Sequence, residues 1–150
     1  MSIQSALRMV CAGVFLMTAV AAQETGKKHI NVPTQRQKPP FSDAVLVGET
    51  LYLSGHIGLD ENNKVPATAE AEARLVLKRF EATLKAAGMG LEDLVQVQVF
   101  CSDVSQFDAW NKVYREVMKE PYPARAFIGS GKLLFDARFE IQGIAYKKKK

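Results

Sequence analysis

The sequence is poor in the residues that usually carry chemistry. Its 150 residues include two cysteines, two histidines and one tryptophan. There is no GxSxG nucleophile elbow, no glycine-rich phosphate loop and no His/Cys set at metal-ligand spacing, which sets aside the commonest serine hydrolase, nucleotide-binding and zinc readings. His29 and His56 lie far apart in different segments, a weak basis for a metal. Cys11 sits inside an apolar run near the start, so the rest of the chain holds only Cys101. A single cysteine closes no internal disulfide, and the fold must rest on its core or on association between subunits. Cys101 falls on the apolar face of a strand pattern, where a buried inert thiol is expected.

Charge is also scarce at the beginning. Arg8 is the only charged residue before Glu24, and Met9–Val20 (MVCAGVFLMTAV) is apolar apart from Thr18. A basic residue, a short apolar run and small residues after it have the layout of a secretory signal peptide, with cleavage expected after Ala21 or Ala22. The run is too short to span a bilayer comfortably, so no stable membrane anchoring is expected after cleavage. Residues 1–22 are therefore read as a signal peptide and the protein as periplasmic or secreted, with a bacterial periplasm preferred. The net charge of +4 becomes +3 without Arg8, and −1 once the four lysines of residues 147–150 are also set aside. The basic balance thus belongs to the tail, which has neither aromatic interleaving nor a basic helix face to suggest nucleic-acid binding.

What is present is a pattern of alternating and helical segments. Residues 23–40 are polar, end in two prolines and read as a linker leading to an early extended segment. AVLVG and LYLSG, joined at Glu49-Thr50, read as a hairpin, and SGHIGLDENNK then breaks into loop composition. Residues 67–87 place Ala73, Val76, Leu77, Phe80, Leu84 and Ala87 on one helical face, with Glu70–Arg74 and Glu81–Lys85 as exposed pairs and Gly88 as the stop. In Leu94–Cys101 (LVQVQVFC), Val95, Val97, Val99 and Cys101 share one face while Gln96, Gln98 and Phe100 share the other. Ser105–Asp108 resembles a capping box before a second helix, whose stripe is Phe107, Trp110, Val113, Tyr114 and Val117 and which Pro121 and Pro123 end. Ala124–Ser130 is extended, and Phe139–Tyr146 alternates again. The order strand, strand, helix, strand, helix, strand, strand suggests an α+β domain with both helices on one face of a mixed sheet. The other face, carrying Gln96, Gln98, Phe100 and the Glu140 row, is then free to pack against another subunit.

The charged residues beside these apolar strands are Arg125, Asp136, Arg138 and Glu140. A guanidinium can anchor a carboxylate through two parallel hydrogen bonds, and a glutamate can orient a water or move a proton. Spacing alone equally allows Arg125 and Glu140 to pair with each other or to face solvent.

Four stretches in register, PFSDAVLVGETLYLSGHIGLD, LKAAGMGLEDLVQVQVFCSDVSQFDAWNKVY, YPARAFI and FEIQGIA, resemble the RidA (YjgF) family of reactive intermediate deaminases over residues 40–146, with the domain itself at 41–146. The resemblance implies a chorismate-mutase-like single domain, α+β, with a mixed six-stranded sheet, two helices on one face and a homotrimer. It also implies ligand clefts between subunits and neither a metal nor an organic cofactor. The implied reaction is hydrolysis of small carboxylate-bearing imines or enamines to 2-keto acids and ammonia. Arg125 matches the family's carboxylate anchor and Glu140 its water-associated glutamate. Gly55, Asn111, Phe41 and Phe127 match positions lining the cleft. The deaminase branch commonly has tyrosine at Phe41, Ser-Cys at Ala126-Phe127 and glutamine at His56, so the pocket here would be more apolar and suited to a larger or aromatic substrate. Two other readings stand beside this one. One is a non-catalytic binding protein holding a small carboxylate in the same cleft, and the other is a holdase-like protein using the open sheet face.

Overall fold

The alternating runs form strands of one sheet. In the computed structural model, which describes residues 26–33 and 39–147, the strands are Lys27–Ile30 (β1), Ala44–Val47 (β2), Thr50–Ile57 (β3), Leu94–Cys101 (β4), Ala124–Gly129 (β5) and Phe139–Tyr146 (β6). The two helices are Ala69–Ala86 (α1) and Phe107–Val117 (α2). The strand order is β1-β2-β3-β6-β4-β5. Every neighbouring pair is antiparallel except β4–β5, which is parallel and spanned by α2. The chain's last strand thus slots between β3 and β4. The expected α+β domain, a six-stranded mixed sheet with two helices on one face, is the architecture found. The expected signal peptide lies outside the described residues, as do residues 148–150 of the basic tail.

The segment ahead of Phe41, read as a linker, contributes a strand. Ile30 is buried there while Lys27, Lys28 and His29 remain exposed, as befits an edge strand. The hairpin forms as expected, with Val47 opposite Thr50. The segment SGHIG, read as the start of a loop, continues β3 as far as Ile57.

Both helices bury most of their predicted stripes, but Phe107, expected on the stripe of α2, is 42% exposed at the helix start. Ala73, Val76, Leu77, Phe80 and Leu84 of α1 and Trp110, Val113 and Tyr114 of α2 pack on Val97, Val99, Cys101, Phe139, Ile141 and Ala145 of the sheet. Each large apolar side chain enclosed this way contributes roughly 1.5–3 kcal/mol. Thr68 caps α1 by accepting from the Ala71 N–H at 3.2 Å. Gly88, at φ +75°, closes its far end while the Met89 N–H donates to the Leu84 carbonyl and the Gly88 N–H to that of Lys85.

Three local expectations are corrected. Leu94 lies opposite Ala145 and Gln96 opposite Ile144, so Val95 is an extra residue in a bulge and faces solvent instead of joining Val97. Asp103, not Ser105, opens the second helical segment. Its carboxylate accepts from the Ser105 N–H at 2.9 Å and starts a 3₁₀ turn that runs into α2. Arg74 pairs with Glu116 of α2 and not with Glu70, which ties the two helices together, whereas Lys85 and Glu81 pair as expected at 2.7 Å.

The face away from the helices is open. A cavity of about 220 Å³ lies on it, lined by residues that include Tyr52, Gln96, Gln98, Gln142 and Ile144. The Gln142 amide donates to the Gln98 amide oxygen across the β6–β4 pair at 2.6 Å.

Candidate functional site

Arg125 and Glu140 sit on opposite faces of the sheet. Arg125 pairs in register with Val97, and Phe127 with Val99, so both point to the helix side. Glu140 alternates with the buried Phe139 and Ile141 and pairs with Phe100, so it points to the open side. Strand β4 lies between theirs, a separation of about 10 Å before the sheet's thickness is counted. The pairing of Arg125 with Glu140 that spacing allowed does not occur.

Arg125 is exposed on the edge strand, and among the described residues it has no acid partner. Its guanidinium carbon lies 4.6 Å from the centre of the Tyr114 ring, a cation–π contact. Tyr114 is buried, and its hydroxyl has no hydrogen-bond partner. Burial pushes the phenol above its ordinary pKa, with the nearby Arg125 charge opposing the shift. Asn111, buried one turn earlier on α2, lies on the same helical face as Tyr114. Phe127 packs edge-on against Phe107, with centroids 5.0 Å apart, and beside Trp110. Its ring therefore packs in the seam between β5 and α2.

Glu140 makes no ion pair or side-chain hydrogen bond within the described residues. Its carboxylate lies directly over Gly55 of β3, where an added Cβ would meet the Glu140 carboxylate oxygen and stand 2.9 Å from Cδ. Only glycine leaves that space free. Phe41 is exposed just ahead of β2, next to Ser42, whose carbonyl accepts from the Ser54 hydroxyl. The six predicted residues therefore form two groups. Glu140 and Gly55 share the open face, Phe41 adjoins Ser42, which is bonded to Ser54 beside Gly55, and Arg125, Asn111 and Phe127 belong to the β5–α2 side.

His56 is not in a cleft. It is buried on the helix side, its Nδ1–H donating to the Ser54 carbonyl at 2.8 Å and its Nε2 accepting from the Thr83 hydroxyl at 2.9 Å. Its ring stands edge-on to Phe80, and burial lowers its pKa below the ordinary 6.5. Cys101 is buried with its thiol donating to the Asp103 carbonyl at 3.0 Å, and burial raises its pKa, the condition of an unreactive thiol. Asp136 pairs with Lys132 on the surface at 2.9 Å.

Arg138 serves the architecture through an acid that the sequence pattern did not single out. Glu72 is fully buried in α1. Its Oε1 accepts from the Arg138 and Phe139 N–H groups at 2.7 and 3.0 Å, and its Oε2 from the Arg138 guanidinium at 2.8 Å. Arg138 also donates to the carbonyls of Pro66 and Ala67. This clamp fixes the start of β6 two residues before Glu140.

In the loop ahead of it the sequence pattern singled out only Asp136. Lys132–Asp136 and Glu140 line an open cavity of about 520 Å³. Phe135 and Asp136 take left-handed backbone conformations, φ +59° and +57°. Such conformations cost roughly 1–2 kcal/mol per non-glycine residue and tend to gather at functional sites.

Residues 34–147 match the family described as endoribonuclease L-PSP. A Dermatophagoides farinae protein named 2-iminobutanoate/2-iminopropanoate deaminase is 36% identical over 121 residues, covering 79% of this chain and 94% of its own. The crystal structure of RidA from an Antarctic Psychrobacter superposes with a TM-score of 0.75 at 34% identity, covering 80% of this chain and 99% of that one. E. coli TdcF, solved with bound serine, superposes with a TM-score of 0.73 at 30% identity over 81% and 99% of the two chains.

Proposed function

The chain belongs to the endoribonuclease L-PSP family, and on that premise we propose that it hydrolyses 2-imino and enamine acids to 2-keto acids and ammonia. The observation that carries this reading is the unpartnered Glu140 carboxylate held over the bare backbone of Gly55. The deaminase name of the mite relative and the serine bound to TdcF, a ligand with a carboxylate, point the same way.

In the proposed reaction Arg125 holds the substrate carboxylate by two parallel hydrogen bonds. Glu140 orients a water and accepts its proton as the oxygen bonds to the C=N carbon. Glu140 passes that proton to the imine nitrogen, which gives a carbinolamine. It then takes the carbinolamine hydroxyl proton and delivers it to the amine, the C–N bond breaks as C=O forms, and ammonia leaves. An enamine first takes a proton at carbon to become the imine. Because Arg125 and Glu140 of one chain face opposite ways, a three- or four-carbon acid cannot span them. The proposed site therefore joins Arg125 of one copy to Glu140 of another, in a homotrimer whose open sheet faces pack inside. Removal of residues 1–22 and residence in a bacterial periplasm complete the proposal.

The test generates 2-imino acids in situ from a panel of amino acids with an amino-acid oxidase and follows their disappearance. Acceleration that vanishes in an Arg125→Ala protein of unchanged oligomeric state is the expected result. No acceleration with any imine would leave a carboxylate-binding protein without catalysis, a reading favoured by Phe127, which brings no polar group to the arginine side.

A further inference from the structure

Leu134 and Phe135 are 70% and 63% exposed. Single exposed apolar residues are ordinary on a protein surface. Two in succession, at the rim of a cavity whose remaining wall includes the proposed water-orienting carboxylate, are not. The backbone adds an independent observation. Phe135 has φ +59° and ψ 24°, and Asp136 follows it in the left-handed region. The loop is held in this shape at both ends. The Ala137 N–H donates to the Leu134 carbonyl at 3.1 Å, Lys132 pairs with Asp136, and Arg138 is locked to Glu72. A strained loop so fastened holds two apolar side chains away from the core and beside Glu140.

We propose that Leu134 and Phe135 form an apolar lip that selects substrates with a large apolar side chain. The proposal names the substrate class of the site described above and rests on that reading for turnover, though not for binding. A cavity of about 520 Å³ falls within the usual range for small-molecule pockets and exceeds the needs of a methyl or ethyl group. Leu133, Leu134 and Phe135 supply apolar wall. Lys132 and Asp136 neutralise each other at the rim, so the one unpaired charge among the cavity's lining residues is the Glu140 carboxylate, which the proposed reaction turns to the water. With the carboxylate directed to Arg125 and the reacting carbon beside Glu140, the substrate's side chain is the part left to meet this lip.

The test measures binding of three unreactive 2-keto acids, pyruvate, 4-methyl-2-oxopentanoate and phenylpyruvate, by titration calorimetry. Enclosing a leucine- or phenylalanine-sized group favours the two larger acids by about tenfold or more. The variant is Leu134→Ser with Phe135→Asn, because asparagine tolerates the left-handed backbone and the loop can keep its shape. The variant is expected to bind pyruvate as before and to lose the preference to within about threefold. Equal affinity for all three acids, no binding of any, or a preference that survives the double substitution would overturn the proposal. Imine turnover measured alongside separates the two ideas. Preference without turnover sinks the hydrolase reading and leaves the lip, whereas turnover with flat preference does the reverse.

Discussion

The Glu140 carboxylate occupies the space into which a side chain at position 55 would grow. Gly55 has no left-handed φ to justify a glycine, so the close approach of Glu140 supplies the reason. Gly55→Ala should therefore fold and displace the carboxylate by about the width of a methyl group. Misplacing a catalytic group by about 1 Å can cost on the order of 100-fold in rate. The expected outcome is a fall in kcat of that order with a melting temperature close to the parent's. Imine hydrolysis within twofold of the parent would show that Glu140 is not the water-orienting group.

Tyr114 presents its ring to Arg125 and leaves its hydroxyl buried without a partner. The ring should matter and the hydroxyl should not. Tyr114→Phe is expected to keep full activity, and to be neutral or slightly stabilising because an unsatisfied buried group disappears. Tyr114→Leu removes a contact worth about 0.5–1 kcal/mol at a partly exposed site, equivalent to a two- to fivefold rise in KM for carboxylate substrates with kcat little changed. A larger effect from the phenylalanine substitution than from leucine would assign the role to the hydroxyl.

Glu72 is the buried acid on which the start of β6 depends. Glu72→Ala strands two backbone N–H groups and the Arg138 guanidinium, and breaking a buried pair this way costs about 3–5 kcal/mol. Arg138→Ala should cost less, since its side chain is partly exposed and the Glu72 carboxylate keeps both backbone donors. Urea unfolding at fixed protein concentration gives the comparison. Equal losses would mean that the backbone bonds to Glu72 contribute nothing beyond the ion pair.

The alternation of Phe139–Tyr146 already separated Glu140 from the core, and the stripes of both helices were readable because burial imposes their period. Arg125 was harder to orient. Ala124–Gly129 is an edge strand with little buried surface, so its residues show no clear alternation, and only the pairing of Val97 with Arg125 decides the face. Val95 was misassigned because a bulge changes the face without changing composition. Glu72 carried no signal, since its partner Arg138 is 66 residues away in sequence and its neighbours on α1 suggest an ordinary first-turn acid. The strand Lys27–Ile30 escaped because one buried residue in four is too few to show a period.

His56 gives the fold a pH dependence of known sign. Burial lowers its folded pKa below 6.5, and the Arg79 charge acts in the same direction; the Ser54 carbonyl and the Asp43 charge oppose them. Above pH 6.5 the ring is neutral both folded and unfolded, and it contributes no slope. As pH falls through 6.5 the unfolded chain takes up a proton that the folded chain resists, so stability is lost until the pH reaches the lower folded value. One proton limits the slope to about 1.4 kcal/mol per pH unit. His56→Gln removes the titration while its amide can still donate to Ser54 and accept from Thr83. Unfolding measured from pH 7.5 down to 5 should show the parent losing stability relative to the variant only below about pH 6.5. Parallel curves throughout would mean that the ring protonates as readily in the folded protein as in the unfolded chain, which its enclosure between Ser54, Thr83 and Phe80 argues against.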